Sequence, residues 1–177
     1  MGSNGATPIA GFTTVAGRSY ELTFDTSAIY QLTNPTQPND QFDWNKTPGL
    51  SDCGTLDLSH NGAMFGWRWN LASQRLEITA YANNDGTHLW TATPLVELTA
   101  TDLAAETRLQ YRVAISDDLG SYSFSITGEA GGAPVNATAT HPRQCAGAAN
   151  NTLKWASGLY FGGTSTAPHE VWASIVE

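Results

Sequence analysis

The sequence feature that most constrains the fold is a repeated alternation of apolar and polar residues. Residues 19–24, 64–70, 75–82, 108–116 and 121–127 each place apolar side chains at every second position, which is the pattern of a half-buried β-strand. Helical periodicity is nearly absent, and runs of Gly, Pro, Asn and Asp separate the alternating segments. About eight to twelve short strands are therefore expected, and they predict an all-β fold, an antiparallel sandwich or jelly roll.

The remaining segments predict a mixture of loops, turns and further strands. Residues 33–54 contain three prolines and several turn formers, so we expect a long loop, which is a common place for functional residues. Residues 88–98 predict a strand interrupted at Pro94, and residues 101–108 predict either a helical turn or a simple loop. The segment "VNATAT" follows a turn, and "GLYFGG" and "EVWASIVE" supply the last predicted strands.

The charge of the chain limits its partners. Only 14% of the residues are charged and the formal net charge is -8. An acidic chain without a basic cluster argues against nucleic acid, and against a strongly polyanionic ligand unless a small local basic patch exists. Six Trp, six Tyr and six Phe among abundant Thr, Ser, Asn and Gly are typical of exported sugar-handling β-domains and also of inert β-sandwiches.

The length of 177 residues predicts one domain with a substantial core. Met1-Gly2-Ser3 is typical of an added expression leader, so we expect the domain over residues 4–177. No apolar run approaches the roughly 18 residues of a membrane span. We expect a monomer that is secreted or displayed at the cell surface, its export signal having been removed.

The two cysteines, Cys53 and Cys145, are too far apart in sequence for a CxxC metal or redox motif. In an extracellular protein they predict one long-range disulfide, whereas the alternative is two independent buried thiols. No neighbouring residue supplies an obvious base, which argues against a catalytic cysteine.

The segment "NGAMFGWRWNLASQRLEITAYANN" predicts a hairpin with the turn "LASQ". Its economical phase packs a face of Phe65, Trp67 and Trp69 against Leu76, Ile78 and Ala80 in the core. Arg68, Glu77, Thr79 and Tyr81 then share the outward face. By the same alternation Gln110 and Arg112 point outward, and His88 and Trp90 are expected to extend the polar face. The alternative for Arg68 and Glu77 is a simple cross-strand ion pair.

Several segments together resemble a group of small exported bacterial β-sandwich proteins. They are "GLSDCG", "HNGAMFGWRW", "LEITAY" and "YFGGTSTAPHEVWASI", set against the group's GFSD, H-x-x-SARFGWRW, LEI-x-AY and YFGG-x-x-x-APH-x-I-x-I. The resemblance spans most of the chain from about Asp25 onward. It implies a form similar to the concanavalin-like jelly rolls of lectins, carbohydrate-binding modules and polysaccharide lyases, and it implies no particular reaction.

The match to the group is not complete. The chain has Gly62-Ala63-Met64 where the group has Ser-Ala-Arg, so a site that used that arginine is not carried over. The residues that do match are His60, Arg68, Glu77, Tyr81, Pro168 and His169.

Two functions compete for the outward face. Binding of a polysaccharide or oligosaccharide needs flat apolar rings and planar polar groups. Trp44, Trp90 and Tyr81 are candidates for the rings. The candidates for the polar contacts are Arg68, Glu77, His88, Arg112, Asn83 and Asn84.

A polysaccharide lyase would instead use Arg68 or Arg112 on a uronate carboxylate, with His60 or His88 and Tyr81 moving the proton. A structural or adhesive module is a third possibility. Glycoside hydrolysis is disfavoured, because Glu77 has no E-x-D or E-x-x-E partner. Of these functions, we expect non-catalytic carbohydrate binding first.

No cofactor is predicted apart from a structural calcium ion. Asp40, Asp43, Asp52 and Asp57 lie close in sequence, and calcium takes oxygen ligands from such loops. Solvated loop acids are the alternative, since no EF-hand spacing exists. The four histidines are scattered without H-x-H or H-x-x-x-H spacing, which argues against zinc.

Overall fold

The structure is a computed structural model that describes residues 16–55, 57–147 and 160–177. These ranges contain ten strands and one short α-helix. In chain order they are β1 (Gly17–Phe24), β2 (Asn45–Ser51), β3 (Asn61–Asn70), β4 (Arg75–Asn84), β5 (Thr87–Trp90), β6 (Val96–Leu98), α1 (Ala100–Ala104), β7 (Arg108–Ile115), β8 (Ser121–Ala130), β9 (Ala133–Pro142) and β10 (Ala173–Val176). The predicted all-β class is confirmed.

The strands form two antiparallel sheets whose inner faces enclose one core. The first sheet has the order β10-β1-β7-β8-β9, and the second has the order β2-β3-β4-β5. Strand β6 pairs with β4 along residues 76–78, while β5 pairs with it along residues 81–84. The interruption predicted at Pro94 therefore separates two short edge strands. The fold is a β-sandwich, and the finer jelly-roll connectivity stays a prediction.

The β3–β4 hairpin has the predicted phase. Trp67 pairs with Ile78 and Trp69 pairs with Leu76, and all four side chains are buried in the core. Arg68 pairs with Glu77 in the same register, so both side chains project to the opposite side of the sheet. The inward direction of the two indoles is confirmed.

One loop prediction is wrong. Residues 45–51 were expected to belong to a long loop, but they form β2 at the edge of the second sheet. The register between β2 and β3 shifts between Lys46 and Gly49, which accommodates Pro48 inside the strand. Proline is tolerated at edge strands and bulges because the ladder there loses no hydrogen bond.

The strand expected at "GLYFGG" is largely absent from the described part of that segment. Tyr160 alone forms an isolated bridge with Lys46, and residues 158 and 159 lie outside the described residues. The segment "VNATAT" lies within β9, and the strand predicted at "EVWASIVE" is confirmed as β10. The helical turn predicted near residue 101 is α1, which a capping box between Thr99 and Asp102 begins.

Cys53 and Cys145 form the predicted disulfide. Beside it the Arg143 guanidinium donates to both carboxylate oxygens of Asp52, and both side chains are fully buried. The Tyr122 hydroxyl donates to the same carboxylate at 3.1 Å. The bridge and the ion pair together fasten the end of β9 to the end of β2. Among the described residues no helix is long and apolar enough to cross a membrane.

Candidate functional site

The second sheet carries a mixed aromatic and cationic surface on the side turned away from the core. We call this surface the outer face. Strands β2 to β5 and the residue preceding β2 supply it, since alternate side chains of each strand point the same way. Its central members are Trp44, Lys46, Met64, Gly66, Arg68, Glu77, Tyr81 and Trp90.

Arg68 is fixed in position by three contacts. Its Nε donates to Glu77 Oε2 at 2.8 Å, and its Nη1 donates to the Phe42 carbonyl at 2.8 Å. The guanidinium carbon lies 4.0 Å from the centre of the Trp44 ring, a cation–π contact. Nη2 makes no hydrogen bond to a residue that the structure describes. Arg68 is therefore preorganised and still has donors to offer a ligand.

Glu77 holds Arg68 and Asn70 in place through its two carboxylate oxygens. One carboxylate oxygen accepts from Arg68, and the other accepts from Asn70 Nδ2 at 2.6 Å. Its side chain is only 6% exposed. The predicted ion pair with Arg68 is confirmed, and it is half-buried, which holds the guanidinium in one orientation.

Trp44 was one of the candidate rings for ligand contact, but it is buried. Its side chain is 7% exposed because it lies over Gly66, where an added Cβ would come within 3.2 Å of Trp44 Cβ and 2.9 Å of Thr79 Cγ2. The absence of a side chain at Gly66 lets the indole lie against the sheet. The function of Trp44 is to support the guanidinium of Arg68 from below.

Tyr81 and Trp90 are directly paired across β4 and β5. Their rings are stacked, with centroids 6.2 Å apart and an interplanar angle of 11°. Tyr81 is only 4% exposed, whereas Trp90 is 50% exposed. The buried phenol ring thus holds the indole upright at the edge of the face, and the indole is the ring available to a ligand.

Lys46 lies on the other side of Tyr81. Its Nζ is 4.7 Å from the centre of the Tyr81 ring and donates to the Trp44 carbonyl. Burial lowers the pKa of Lys46, and the nearby Asp43 carboxylate partly opposes this. Sequence reasoning missed Lys46, although its alternation with Trp44 inside the supposed loop is the signal that places both on one face.

Burial also raises the pKa of Tyr81 to about 12, with a smaller contribution from Asp43 in the same direction. The phenol therefore remains protonated near neutral pH. A protonated phenol donates a hydrogen bond or a proton, and it must lose its own proton before it can act as a base.

A second exposed ring lies at the opposite edge of the outer face. Tyr160 and Lys46 exchange two backbone hydrogen bonds, of 2.8 and 2.9 Å, so their side chains point to the same side of the sheet. Tyr160 is 48% exposed. Four strand spacings separate Tyr160 from Trp90, or about 19 Å across the sheet. Tyr160 was not predicted as a site residue, because its bridge to β2 is not visible in the local pattern.

The structure brings one of the two candidate histidines to the outer face. His88 lies beside Tyr81, with ring centroids 6.1 Å apart, and its Nδ1 is 2.5 Å from Asn83 Oδ1. His60 instead pairs with Asp85 at 3.2 Å at the end of the hairpin. Among the matched residues elsewhere, His169 bonds the Ser27 carbonyl at 2.8 Å, which is a structural contact.

Arg112 does not belong to the outer face, contrary to expectation. It lies in β7 of the first sheet, whose outward side is on the opposite surface of the sandwich. There it lines an open groove of about 410 Å³ and donates to Ser19 Oγ at 3.1 Å. Hydroxyl side chains form most of the remaining lining: Ser123, Ser125, Thr138 and Thr140. None of the exposed aromatic side chains in the described ranges lies along this groove.

The four aspartates proposed for calcium form no single cluster in the described part of the chain, although Asp40 and Asp43 both lie close to Gly163. Asp40 accepts from Thr164 and Ser165, while Asp52 is paired with Arg143. Asp57 accepts from Ser59 two residues further along.

Asp52, Cys53 and Cys145 form the one cluster of potential metal ligands in the described residues. Its two sulfurs are joined as a disulfide, so it does not suit a metal ion. Calcium binding stays a prediction without an assembled site.

The fold and the outer face define a two-sheet antiparallel β-sandwich with an aromatic and cationic surface on one sheet. No protein-family model, no curated protein and no solved structure matches the chain. Functional inference therefore rests on the chemistry of that surface.

Proposed function

We propose that this protein is an exported carbohydrate-binding module that holds an oligosaccharide or polysaccharide on its outer face. The observation that carries the proposal is the exposed indole of Trp90, which Tyr81 holds in place on the same face as the fixed guanidinium of Arg68. Sugar rings present C–H faces that pack on aromatic rings, and their hydroxyl groups accept from planar donors.

The dimensions of the outer face support an extended ligand. Trp90 and Tyr160 are the exposed rings at its two edges, about 19 Å apart across the strands. A single sugar contacts only one of them. An oligosaccharide that crosses the strands contacts both rings and passes Arg68 and Lys46 on the way.

A polysaccharide lyase is the second candidate, and His88 is the observation in its favour, because Asn83 orients its ring beside Tyr81. A lyase also needs a group that removes a proton. The buried phenol of Tyr81, with its pKa raised to about 12, is poorly suited to that step. Proton abstraction on this face would therefore depend on His88, and we place binding first.

Export is part of the same proposal. Disulfides persist in oxidising compartments, so the Cys53–Cys145 bridge is compatible with secretion or display at the cell surface. Membership of the exported bacterial group and a concanavalin-like connectivity are proposed on the motifs given above.

A glycan array tests the proposal, with a matched pair of tryptophan variants. Trp90→Ala should weaken every hit by at least about tenfold, as expected for an aromatic ring that carries much of the binding energy. Trp172→Ala removes a ring that is 63% exposed just before β10, away from the outer face, and should leave the hits unchanged. Circular dichroism confirms folding of both.

Absence of hits across plant, algal and microbial glycans would overturn the proposal and leave a structural or adhesive module. Unsaturated products absorbing in the near ultraviolet would favour the lyase instead.

A further inference from the structure

We infer that the glycan is acidic, and that a carboxylate or sulfate on its sugars sits between Lys46 and Arg68. The inference rests on the proposed function and specifies the class of glycan. It starts from Lys46, a half-buried cation that forms no direct ion pair with a described residue.

Lys46 is half-buried and forms no ion pair with a described residue. Its ammonium donates one hydrogen bond, to the Trp44 carbonyl, and otherwise faces the ring of Tyr81. An ammonium has three donors, so two remain for a ligand. Partial removal of a charge from water is unfavourable unless an opposite charge or hydrogen bonds compensate. A ligand anion supplies both.

Arg68 provides a second positive group beside the same tryptophan. Trp44 contacts both cations, since its carbonyl accepts from Lys46 and its ring lies under Arg68. The unused Nη2 of Arg68 gives a charge-assisted hydrogen bond to an oxyanion, which is stronger than a bond to a neutral hydroxyl. The two cations thus present donors around one residue.

The surrounding acids compensate this positive charge only in part, and the Asp43 carboxylate acts on Lys46 from a distance, raising its pKa against the effect of burial. Both oxygens of Glu77 are occupied by Arg68 and Asn70, so Glu77 compensates Arg68 but does not reach Lys46. Asp43 and Glu97 are exposed, and neither forms an ion pair with Lys46 or Arg68. The net charge of -8 argued against a polyanion only in the absence of a local basic patch. Lys46 and Arg68 form such a patch.

Matched polymers test the inference by calorimetry. Polygalacturonate is compared with its methyl ester, and a sulfated galactan with its desulfated form, each at low and high salt. At least one acidic polymer should bind about tenfold more tightly than its neutral counterpart, and its affinity should fall as salt screens the charges. The polymer pair in which the acidic form binds more tightly identifies the recognised group as a carboxylate or a sulfate.

Variants place the acidic group. Lys46→Gln should abolish the preference for the acidic polymer, whereas Lys46→Arg should retain it. Arg108→Gln removes an exposed cation of the first sheet and should leave the preference intact. The intrinsic tryptophan fluorescence of each variant confirms that Trp44 remains buried.

The outcomes separate the two proposals. Equal binding of acidic and neutral polymers, still weakened by Trp90→Ala, overturns the acidic ligand and leaves carbohydrate binding standing. Binding of none of the polymers, together with an empty glycan array, overturns both. Loss of the preference in Arg112→Gln and not in Lys46→Gln places the anion in the groove of the first sheet and overturns the inference.

Discussion

The phenol rings of Tyr20 and Tyr111 stack in the core with centroids 5.7 Å apart and an interplanar angle of 2°. The hydrogen bonding of their hydroxyl groups differs. The Tyr20 hydroxyl lies 2.8 Å from Thr47 Oγ1 and donates to the Pro48 carbonyl at 2.9 Å. The Tyr111 hydroxyl is buried without a hydrogen-bond partner in the described part of the chain. Burial raises the pKa of both groups.

This contrast predicts opposite effects of one substitution. Tyr111→Phe removes an unsatisfied hydroxyl and should leave the free energy of unfolding unchanged or raise it by up to about 1 kcal/mol. Tyr20→Phe leaves Thr47 and Pro48 without their partner and should lower it by about 1–3 kcal/mol. Urea unfolding measures both, and equal losses in the two variants would contradict the prediction.

The disulfide should make a large contribution because it closes a long loop. Cys53 and Cys145 are 92 residues apart, for which the chain-entropy model gives about 4–5 kcal/mol. We expect the double variant Cys53→Ala, Cys145→Ala to lose roughly that amount in chemical denaturation. Reductant should lower the stability of the wild type and leave the double variant unaffected. A loss well under 1 kcal/mol would show that the bridge is incidental.

The buried ion pair between Asp52 and Arg143 should contribute strongly to the free energy of unfolding. Asp52→Asn removes the carboxylate charge from its pair with the buried Arg143 guanidinium, so we expect a loss of about 3–5 kcal/mol. Asp57→Asn, at an exposed turn, should have a much smaller effect. Replacement of both partners, by Asp52→Leu with Arg143→Met, should recover part of the loss, because an apolar pair avoids the desolvation of the charges. A double variant as unstable as Asp52→Asn would argue against this explanation.

Ionisation of Asp40 should contribute to how the free energy of unfolding depends on pH under acidic conditions. Hydrogen bonds led by that from Ser165 lower the pKa of its carboxyl to about 2, so the folded state favours the ionised form. This stabilisation is complete above the unfolded value near 4 and is lost as the pH falls towards 2. Asp40→Asn should flatten stability over that interval, and Ser165→Ala should shift the loss to higher pH. Guanidinium denaturation midpoints across pH 2–5 check both.

Gly66 should be intolerant of a side chain. Gly66→Ala places a methyl group against Thr79 and Trp44, and such overpacking costs about 1–3 kcal/mol. The indole of Trp44 should become more exposed, with a red shift in tryptophan emission and weaker ligand binding through Arg68. Gly120→Ala, where the nearest atom is the flexible side chain of Asp118 at 3.3 Å, provides the control. An unshifted emission spectrum would contradict the proposed role of Gly66.

The phase of the β3–β4 hairpin could be predicted from the sequence, because a one-residue slip would expose Trp67 and Trp69 and bury Arg68. Its short turn then fixed the pairing of Arg68 with Glu77. Alternation gives the face of a strand and not the sheet that the strand joins, which is why Arg112 was assigned to the wrong surface.

Pairings between segments that are far apart in the sequence could not be predicted either. The edge strand β2 was hidden by Pro48 and by the turn formers around it, and Tyr160 meets Lys46 only through tertiary structure. Both contribute to the outer face, so a local pattern shows only part of it.

The bridge between Lys46 and Tyr160 has a consequence for how recognition and folding are coupled. It joins segments from the two halves of the chain, and Asp40 fastens the residues that follow Tyr160. A peptide cut from either half would lack the combination of rings and cations. A glycan that binds this surface therefore binds the folded protein and not the unfolded chain. The melting temperature of the protein should rise with the concentration of the glycan.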